Sequence, residues 1–264
     1  MPKKIKCILT IAGSDSGAGA GIQSDLKTFK NHGLYGLTVI TTITAQNLHG
    51  VQQSYNLKDH IVGQQLKSVL SDFDFNVVKT GVLPSESTIK VVSSVLSKKA
   101  GLKLVVDPVM MSKNNYYFTH DIRMGTMKEY LLKMTYLLTP NIYEAQHISG
   151  LNITSPDTLE LALKKLHSYG CKNVLIKGGH FDKRIGIEKG TDILYDGKKF
   201  RLFKAPFIKT KNTHGIGCTF SAAIASNLAL GNNLITSIVN AKKYVVKSLQ
   251  KNIKVGSGIG PVET

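Results

Sequence analysis

The chain has 264 residues, 42% of them hydrophobic, with 24 glycines, enough to bury a large core as one α/β domain, 1–264. No run of about 18 apolar residues offers a membrane span. Lys and Arg outnumber Asp and Glu by 34 to 17, a net charge of +17, but the lysines are scattered in pairs such as Lys98-Lys99 and Lys164-Lys165, and there is no Trp, so no specific nucleic-acid surface is expected.

Lys6 to Ala12 reads as a first strand, handing over to the glycine-rich turn Gly13-Ser14-Asp15-Ser16-Gly17-Ala18-Gly19-Ala20-Gly21 and an amphipathic helix over Ile22 to Asn31. Glycines at a strand-to-helix turn let backbone N–H groups approach a ligand, although turns use glycine for purely structural reasons too. The next strand, Thr38 to Ile43, ends in Thr44-Ala45-Gln46-Asn47, without the acid that a dinucleotide site places on a ribose. A helix over Ile61 to Leu70, a strand over Asn76 to Thr80 and a helix over Ser87 to Lys98 continue the alternation, which predicts a parallel sheet covered by helices on both faces.

The strand Lys103 to Asp107 leads into Pro108-Val109-Met110, so Asp107 stands at a strand end, where ligands bind in open α/β sheets. It is a candidate Mg²⁺ ligand or a turn cap. The strand Tyr136 to Thr139 is followed by Pro140-Asn141-Ile142-Tyr143-Glu144; Asn141 and Glu144 share one face of a starting helix, suited to Mg²⁺ through water or to a plain N-cap. After a helix over Thr158 to Tyr169, the strand Asn173 to Lys177 ends in a lysine before Gly178-Gly179-His180, where Lys177 would face phosphates as a point charge or lie at the surface. Asp192 to Tyr195 and Lys199 to Lys204 read as a hairpin around Gly197-Lys198.

The most specific segment is Thr210-Lys211-Asn212-Thr213-His214-Gly215-Ile216-Gly217-Cys218-Thr219, opening a small-residue helix to Leu230, with a last helix over Leu234 to Asn252. The N–H groups of Gly215, Ile216, Gly217 and Cys218 at the positive end of that helix would form an anion hole for a transferring phosphoryl group. The same field is expected to lower the Cys218 thiol pKa, unless Cys218 is an inert packed residue. His214 is read as a positioning residue, since neighbours in a tight turn need not point together. No Gly-x-x-x-x-Gly-Lys-Ser/Thr occurs, which excludes a P-loop. Cys7, Cys171 and Cys218 lie far apart without ligand spacing, so a reducing, cytoplasmic setting is expected.

Taken together, Leu9 to Asp15, Ala20 to Gln23, Asp25 to Phe29, Ala45-Gln46-Asn47, Gly50-Val51-Gln52, Thr139-Pro140-Asn141, Lys177 to His180, Thr210 to Thr219 and Gly258 to Val262 resemble the ribokinase-like superfamily, in its hydroxymethylpyrimidine/phosphomethylpyrimidine kinase branch. The resemblance implies a three-layer α/β/α sandwich with a central, mostly parallel sheet, and a homodimer. It also implies ATP- and Mg²⁺-dependent phosphorylation of 4-amino-5-hydroxymethyl-2-methylpyrimidine to its monophosphate and then its diphosphate, in thiamine diphosphate biosynthesis. A pyridoxal kinase is the related alternative, and a basic nucleic-acid-binding protein the alternative of another class.

By the same resemblance, Cys218 is the catalytic residue in place of the superfamily's usual Asp, and Gln46 reads the pyrimidine's ring nitrogen and amino group. Gly13, Ala20, Thr44, Val82 and Val109 line the rest of the substrate pocket. Lys177 and Lys242 lie near the nucleotide, and Asn141 and Glu144 match the Mg²⁺/phosphate motif. Four features depart from the branch's usual pattern: Ser16-Gly17-Ala18 for Pro-Ser-Gly, Val82 for methionine, Thr44 for an apolar wall residue and Ile216 for threonine.

Overall fold

In the computed structural model, residues 5–112, 116–118, 123–181, 183–251 and 253–264 are described. Strand-forming runs of Ile, Leu and Val collect into one nine-stranded sheet: β1 (Cys7–Asp15), β2 (Tyr35–Asn47), β3 (Gly50–Asn56), β4 (Val77–Thr80), β5 (Lys103–Val106), β6 (Thr135–Leu138), β7 (Val174–Ile176), β8 (Asp192–Tyr195) and β9 (Phe200–Phe203). Their spatial order is β3-β2-β1-β4-β5-β6-β7-β8-β9. The neighbours from β2 through β7 pair in parallel, while β3, β8 and β9 add antiparallel edges. The expected mostly parallel sheet is therefore present.

The helices are α1 (Gly21–Asn31), α2 (Asp59–Asp72), α3 (Glu86–Leu96), the short α4 (Arg123–Thr126), which runs on into a π turn over Met127–Leu131, α5 (Ile142–Ser149), α6 (Pro156–Ser168), α7 (Ile216–Ala229) and α8 (Leu234–Gln250). Side chains alternate across each strand, and the two faces feed two cores. Leu9, Val78, Val106 and Leu138 pack with Leu66 of α2, Ile89 of α3, Ala145 of α5 and Leu163 of α6. Ile8, Val77, Val105 and Leu137 pack with Phe29 of α1, Ala223 of α7 and Ile238 of α8. Two helical layers on opposite faces of one sheet make the three-layer sandwich.

Three differences from the sequence reading bear on function. β1 runs on to Asp15, so the glycine-rich turn begins inside a strand. β3 was not anticipated: its run Gly50-Val-Gln-Gln-Ser-Tyr-Asn56 is largely exposed, so no apolar alternation marks it. It pairs with residues 42–47 and carries the β2 hairpin beyond the strand ends. α7 starts within the glycine turn itself, at Ile216, with Gly215 as its N-cap at φ 82. The end expected for the last helix, Asn252, lies outside the described residues.

Candidate active site

The start of α7 is built by glycine. Gly215 takes a left-handed φ of 82 and lies so close to the β1–α1 turn that a Cβ there would overlap the Gly19 carbonyl oxygen. The first helical hydrogen bond runs from Thr219 N–H to Gly215 O at 2.8 Å, which leaves the N–H groups of Ile216, Gly217 and Cys218 at the open, positive end of a fourteen-residue helix. Ile216 in place of threonine alters nothing in this device, because the donors are backbone groups. Gly217 abuts the next cluster: a Cβ there would stand 3.4 Å from Lys177 Nζ and 3.8 Å from Asp107 Oδ2.

That cluster sits at the ends of β5 and β7 and the start of α5. Lys177 Nζ donates to Asp107 Oδ1 at 2.7 Å and lies 3.7 Å from Glu144 Oε2, and Ser221 Oγ of α7 donates to Asp107 Oδ2 at 3.1 Å. Burial works against the Lys177 charge, but the Asp107 and Glu144 carboxylates outweigh it and raise its pKa. Burial pushes Glu144 up, against the pull of Lys177. Lys177 is therefore held by two carboxylates rather than projecting alone toward a phosphate.

Asn141 is committed elsewhere: its Oδ1 accepts from Glu144 N–H at 2.9 Å and Glu144 Oε2 accepts from Asn141 N–H at 2.7 Å, a capping box that starts α5. Among the described residues no group of three or more His, Cys, Asp or Glu is placed to hold a metal. Two convergent carboxylates nevertheless fit Mg²⁺, which takes one or two protein carboxylates and completes its shell with phosphate oxygens and water. Lys242 reaches the same region from α8: it donates to Gly190 O at 2.7 Å and pairs with Asp192, whose Oδ1 accepts from Gly178 N–H at 2.9 Å beside Lys177.

The residues expected around a substrate lie in or just beyond the C-terminal ends of β1, β2, β4 and β5. Gly13 packs on Thr42 and Val82, Val82 is 8% exposed, and Val109 follows Asp107 in a tight turn closed by its N–H to Asp107 O at 2.8 Å. Ala20 is the N-cap of α1, and its N–H donates to Asp15 Oδ2 at 2.8 Å. Thr44 Oγ1 donates to Ser14 O at 3.0 Å, so the hydroxyl that replaces an apolar wall residue is satisfied locally. Ala18 takes φ 57 where the resemblance expects glycine, a conformation that costs a non-glycine residue about 1 kcal/mol. Gln46 and His214 line one cleft together with Asn47, Gly50, Ser112 and Ile259.

The Cys218 expectation needs correction in one respect. The thiol pKa is raised, to about 11, because burial disfavours the thiolate and the Asp107 and Asp25 carboxylates add to that, overriding Lys79 and the Gly21 N–H hydrogen bond, which favour it. Cys171, deep in the core, is higher still at about 12 through burial.

Two side chains near the thiol escaped the sequence reading. Asp25 of α1 and Lys79 of β4, both 0% exposed, pair at 2.8 Å, and Asp25 also accepts from Thr10 Oγ1 at 2.6 Å. Burial pushes Asp25 up against the pull of Lys79. Only the isolated apolar run around Lys79 could have hinted that its ammonium is buried, and nothing local names its partner 54 residues away.

The phosphomethylpyrimidine kinase family model matches residues 15–263. The chain is 43% identical over 97% of its length to the thiamine biosynthesis bifunctional protein ThiED of Geobacter sulfurreducens, of which it spans about half, 51%. It is 39% identical over 96% of its length to the hydroxymethylpyrimidine/phosphomethylpyrimidine kinase of Bacillus subtilis, covering 92% of that protein. The ADP complex of Bacillus subtilis pyridoxal kinase superposes with a TM-score of 0.88 at 32% identity, over 98% of this chain and 97% of that one. With a family match over nearly all of its length, and a helix end, carboxylate pair and lysine gathered at the strand ends, the chain belongs to the phosphomethylpyrimidine kinase family.

Proposed function

We propose that this protein is a single-domain kinase, 1–264, that phosphorylates 4-amino-5-hydroxymethyl-2-methylpyrimidine with ATP and then phosphorylates the monophosphate to the diphosphate. The observation that carries the reading is the free N–H group set of Ile216, Gly217 and Cys218 abutting the Asp107–Lys177–Glu144 cluster, with Gln46 lining a cleft beside His214, the residue that precedes Gly215. Phosphoryl transfer has a loose transition state, so catalysis is chiefly alignment and charge stabilisation. The α7 amides receive the equatorial phosphoryl oxygens. Lys177 neutralises phosphate charge as nucleotide enters, exchanging one anionic partner for another. Asp107 and Glu144 are the residues that would hold Mg²⁺, which would supply positive charge against the phosphates, and Lys242, paired with Asp192, belongs to the proposed nucleotide side.

The two transfers differ in their nucleophile. The alcohol must lose a proton, and Cys218 is the base proposed for it; the monophosphate, with a second pKa of about 6, is already ionised at neutral pH. Gly13, Ala20, Thr44, Val82 and Val109 are the proposed pocket walls around the ring. The proposal includes the cytoplasmic homodimer that the resemblance implies. Ile43 and Tyr55, 47% and 62% exposed on the β2–β3 hairpin, offer apolar surface to a second copy, and among the described residues no helix is long and apolar enough to cross a membrane.

A coupled ADP-release assay with the hydroxymethylpyrimidine and pyridoxal side by side tests the reading. Faster turnover of the pyrimidine is expected. A clear preference for pyridoxal would transfer the assignment to the activity that the Bacillus subtilis structural neighbour carries in its name. Salt-sensitive binding to DNA or RNA without kinase activity would replace it with the binding-protein reading.

A further inference from the structure

Asp15, His214 and Gln46 form a chain of side chains across the mouth of the site. The Asp15 carboxylate, 4% exposed, accepts from the N–H groups of Gly17 at 2.8 Å, Gly19 at 3.0 Å and Ala20 at 2.8 Å, and its Oδ2 lies 3.0 Å from His214 Nε2. Burial opposes its charge, but the hydrogen bonds from His214 and the backbone prevail and lower its pKa. An ionised carboxylate only accepts. His214 Nε2 therefore carries a hydrogen, since a bare lone pair would face the anion.

Gln46 must fit this arrangement. With its Nε2 3.2 Å from His214 Nε2 and its Oε1 3.2 Å from Thr44 Oγ1, two N–H groups face each other. Thr44 has one hydroxyl hydrogen, which goes to Ser14 O at 3.0 Å, so toward Gln46 it presents a lone pair. A half turn of the amide exchanges its nitrogen and oxygen at almost unchanged positions. The oxygen then shares the single His214 Nε2–H with Asp15 Oδ2 and the nitrogen donates to Thr44, so no donor is left facing a donor. The imidazole that enforces this is itself held fast: its backbone pairs with Gly260 and Val262 at 3.0 Å each, and its ring packs on Gly19.

On the ground of the pyrimidine kinase activity proposed above, we propose that Asp15, acting through His214, is a positioning residue that fixes the Gln46 amide with oxygen toward His214 and nitrogen toward Thr44, so that the site accepts a 4-aminopyrimidine in one direction only and rejects its 4-oxo counterpart. In this orientation the ring nitrogen beside the amine accepts from Gln46 on the Thr44 side, and the amine donates to Gln46 on the His214 side. The hydroxymethyl group is attached next to the amine, so it falls beyond it, toward the loop that continues from His214 directly into Gly215 to Cys218. The opposite amide orientation would turn the hydroxymethyl group toward Thr44 and away from the anion hole.

The test compares kcat/KM for the 4-amino substrate and its 4-oxo counterpart, whose edge carries a carbonyl acceptor and a ring N–H donor. The unmodified protein is expected to favour the amine by about tenfold or more, and His214→Asn, which frees the amide to turn, to bring the ratio several-fold closer to unity. In a Gln46→Leu background His214→Asn should change the ratio no further. A substitution that merely loosens the loop lowers both rates and keeps their ratio, so an unchanged ratio in His214→Asn overturns the proposal. Long-range ¹⁵N–¹H spectra of the unmodified protein give a reading independent of any substitution: His214 is expected to carry its hydrogen on Nε2, and a bare Nε2 overturns the proposal. If the unmodified protein phosphorylates neither pyrimidine, the activity itself falls and the orientation with it; phosphorylation of both without preference overturns the orientation alone.

Discussion

Replacing Cys218 by alanine separates what the thiol does from what its backbone does. The thiol pKa of about 11 means that at pH 7 roughly one molecule in 10⁴ of the unliganded protein carries a thiolate. If that thiolate takes the hydroxymethyl proton, kcat/KM for the alcohol rises about tenfold per pH unit, about a hundredfold between pH 7 and pH 9. The monophosphate, already a dianion over this range, needs no base, and its profile is expected to be flat. Cys218→Ala should abolish the slope for the alcohol, slow that step by about 10²- to 10⁴-fold at the alkaline end, and leave the second transfer within a few-fold of its starting rate. Coupled ADP release measured separately with the alcohol and the monophosphate across this range reads both steps. A flat profile for the alcohol in the unmodified protein, a slope that survives Cys218→Ala, or equal losses in the two steps would refute the base assignment.

Gly215→Ala perturbs the amides that both transfers share. Its φ of 82 is strained for alanine, and the added Cβ would overlap Gly19 O, so both steps should fall together and by a similar factor; selective loss of one step would show that the helix end serves only that step. Asp25→Asn leaves the Lys79 ammonium, 0% exposed, without its counter-charge, and should cost about 3 to 5 kcal/mol in chemical denaturation. A loss under about 1 kcal/mol would mean that the pair contributes no more than a surface ion pair.

The architecture was legible because buried parallel strands and amphipathic helices write opposite periods into the sequence, and because Gly33 and Gly170, both at positive φ, follow directly on the C-caps of α1 and α6, whereas α3 ends at Leu96, five residues before Gly101. β3 was illegible for the converse reason: Gln52, Gln53, Tyr55 and Asn56 are exposed, so the strand is specified by its neighbour β2 rather than by its own pattern. At the site, the α7 turn could be read from its glycines, but its electrostatics could not. A helix end alone lowers a thiol pKa; the burial and the Asp107 and Asp25 carboxylates that reverse the sign come from segments far away in sequence. The same holds for Asp15 with His214, 199 residues apart, and for Lys177, whose two carboxylate partners come from the end of β5 and the first turn of α5.

The brace formed by residues 258–262 also affects how the site is assembled. Ile259 N–H bonds Leu48 O at 2.9 Å, while Gly260 and Val262 bracket His214, so the turn of the β2–β3 hairpin and the anion-hole loop are tied together by residues that leave the ribosome after both. Strands β1 to β7 can pair as the nascent chain lengthens, but the cleft lined by Gln46, His214 and Ile259 is framed only when that late segment docks. Catalytic competence should therefore appear after most of the secondary structure has formed, as a slow, late phase detected by activity but not by far-ultraviolet circular dichroism.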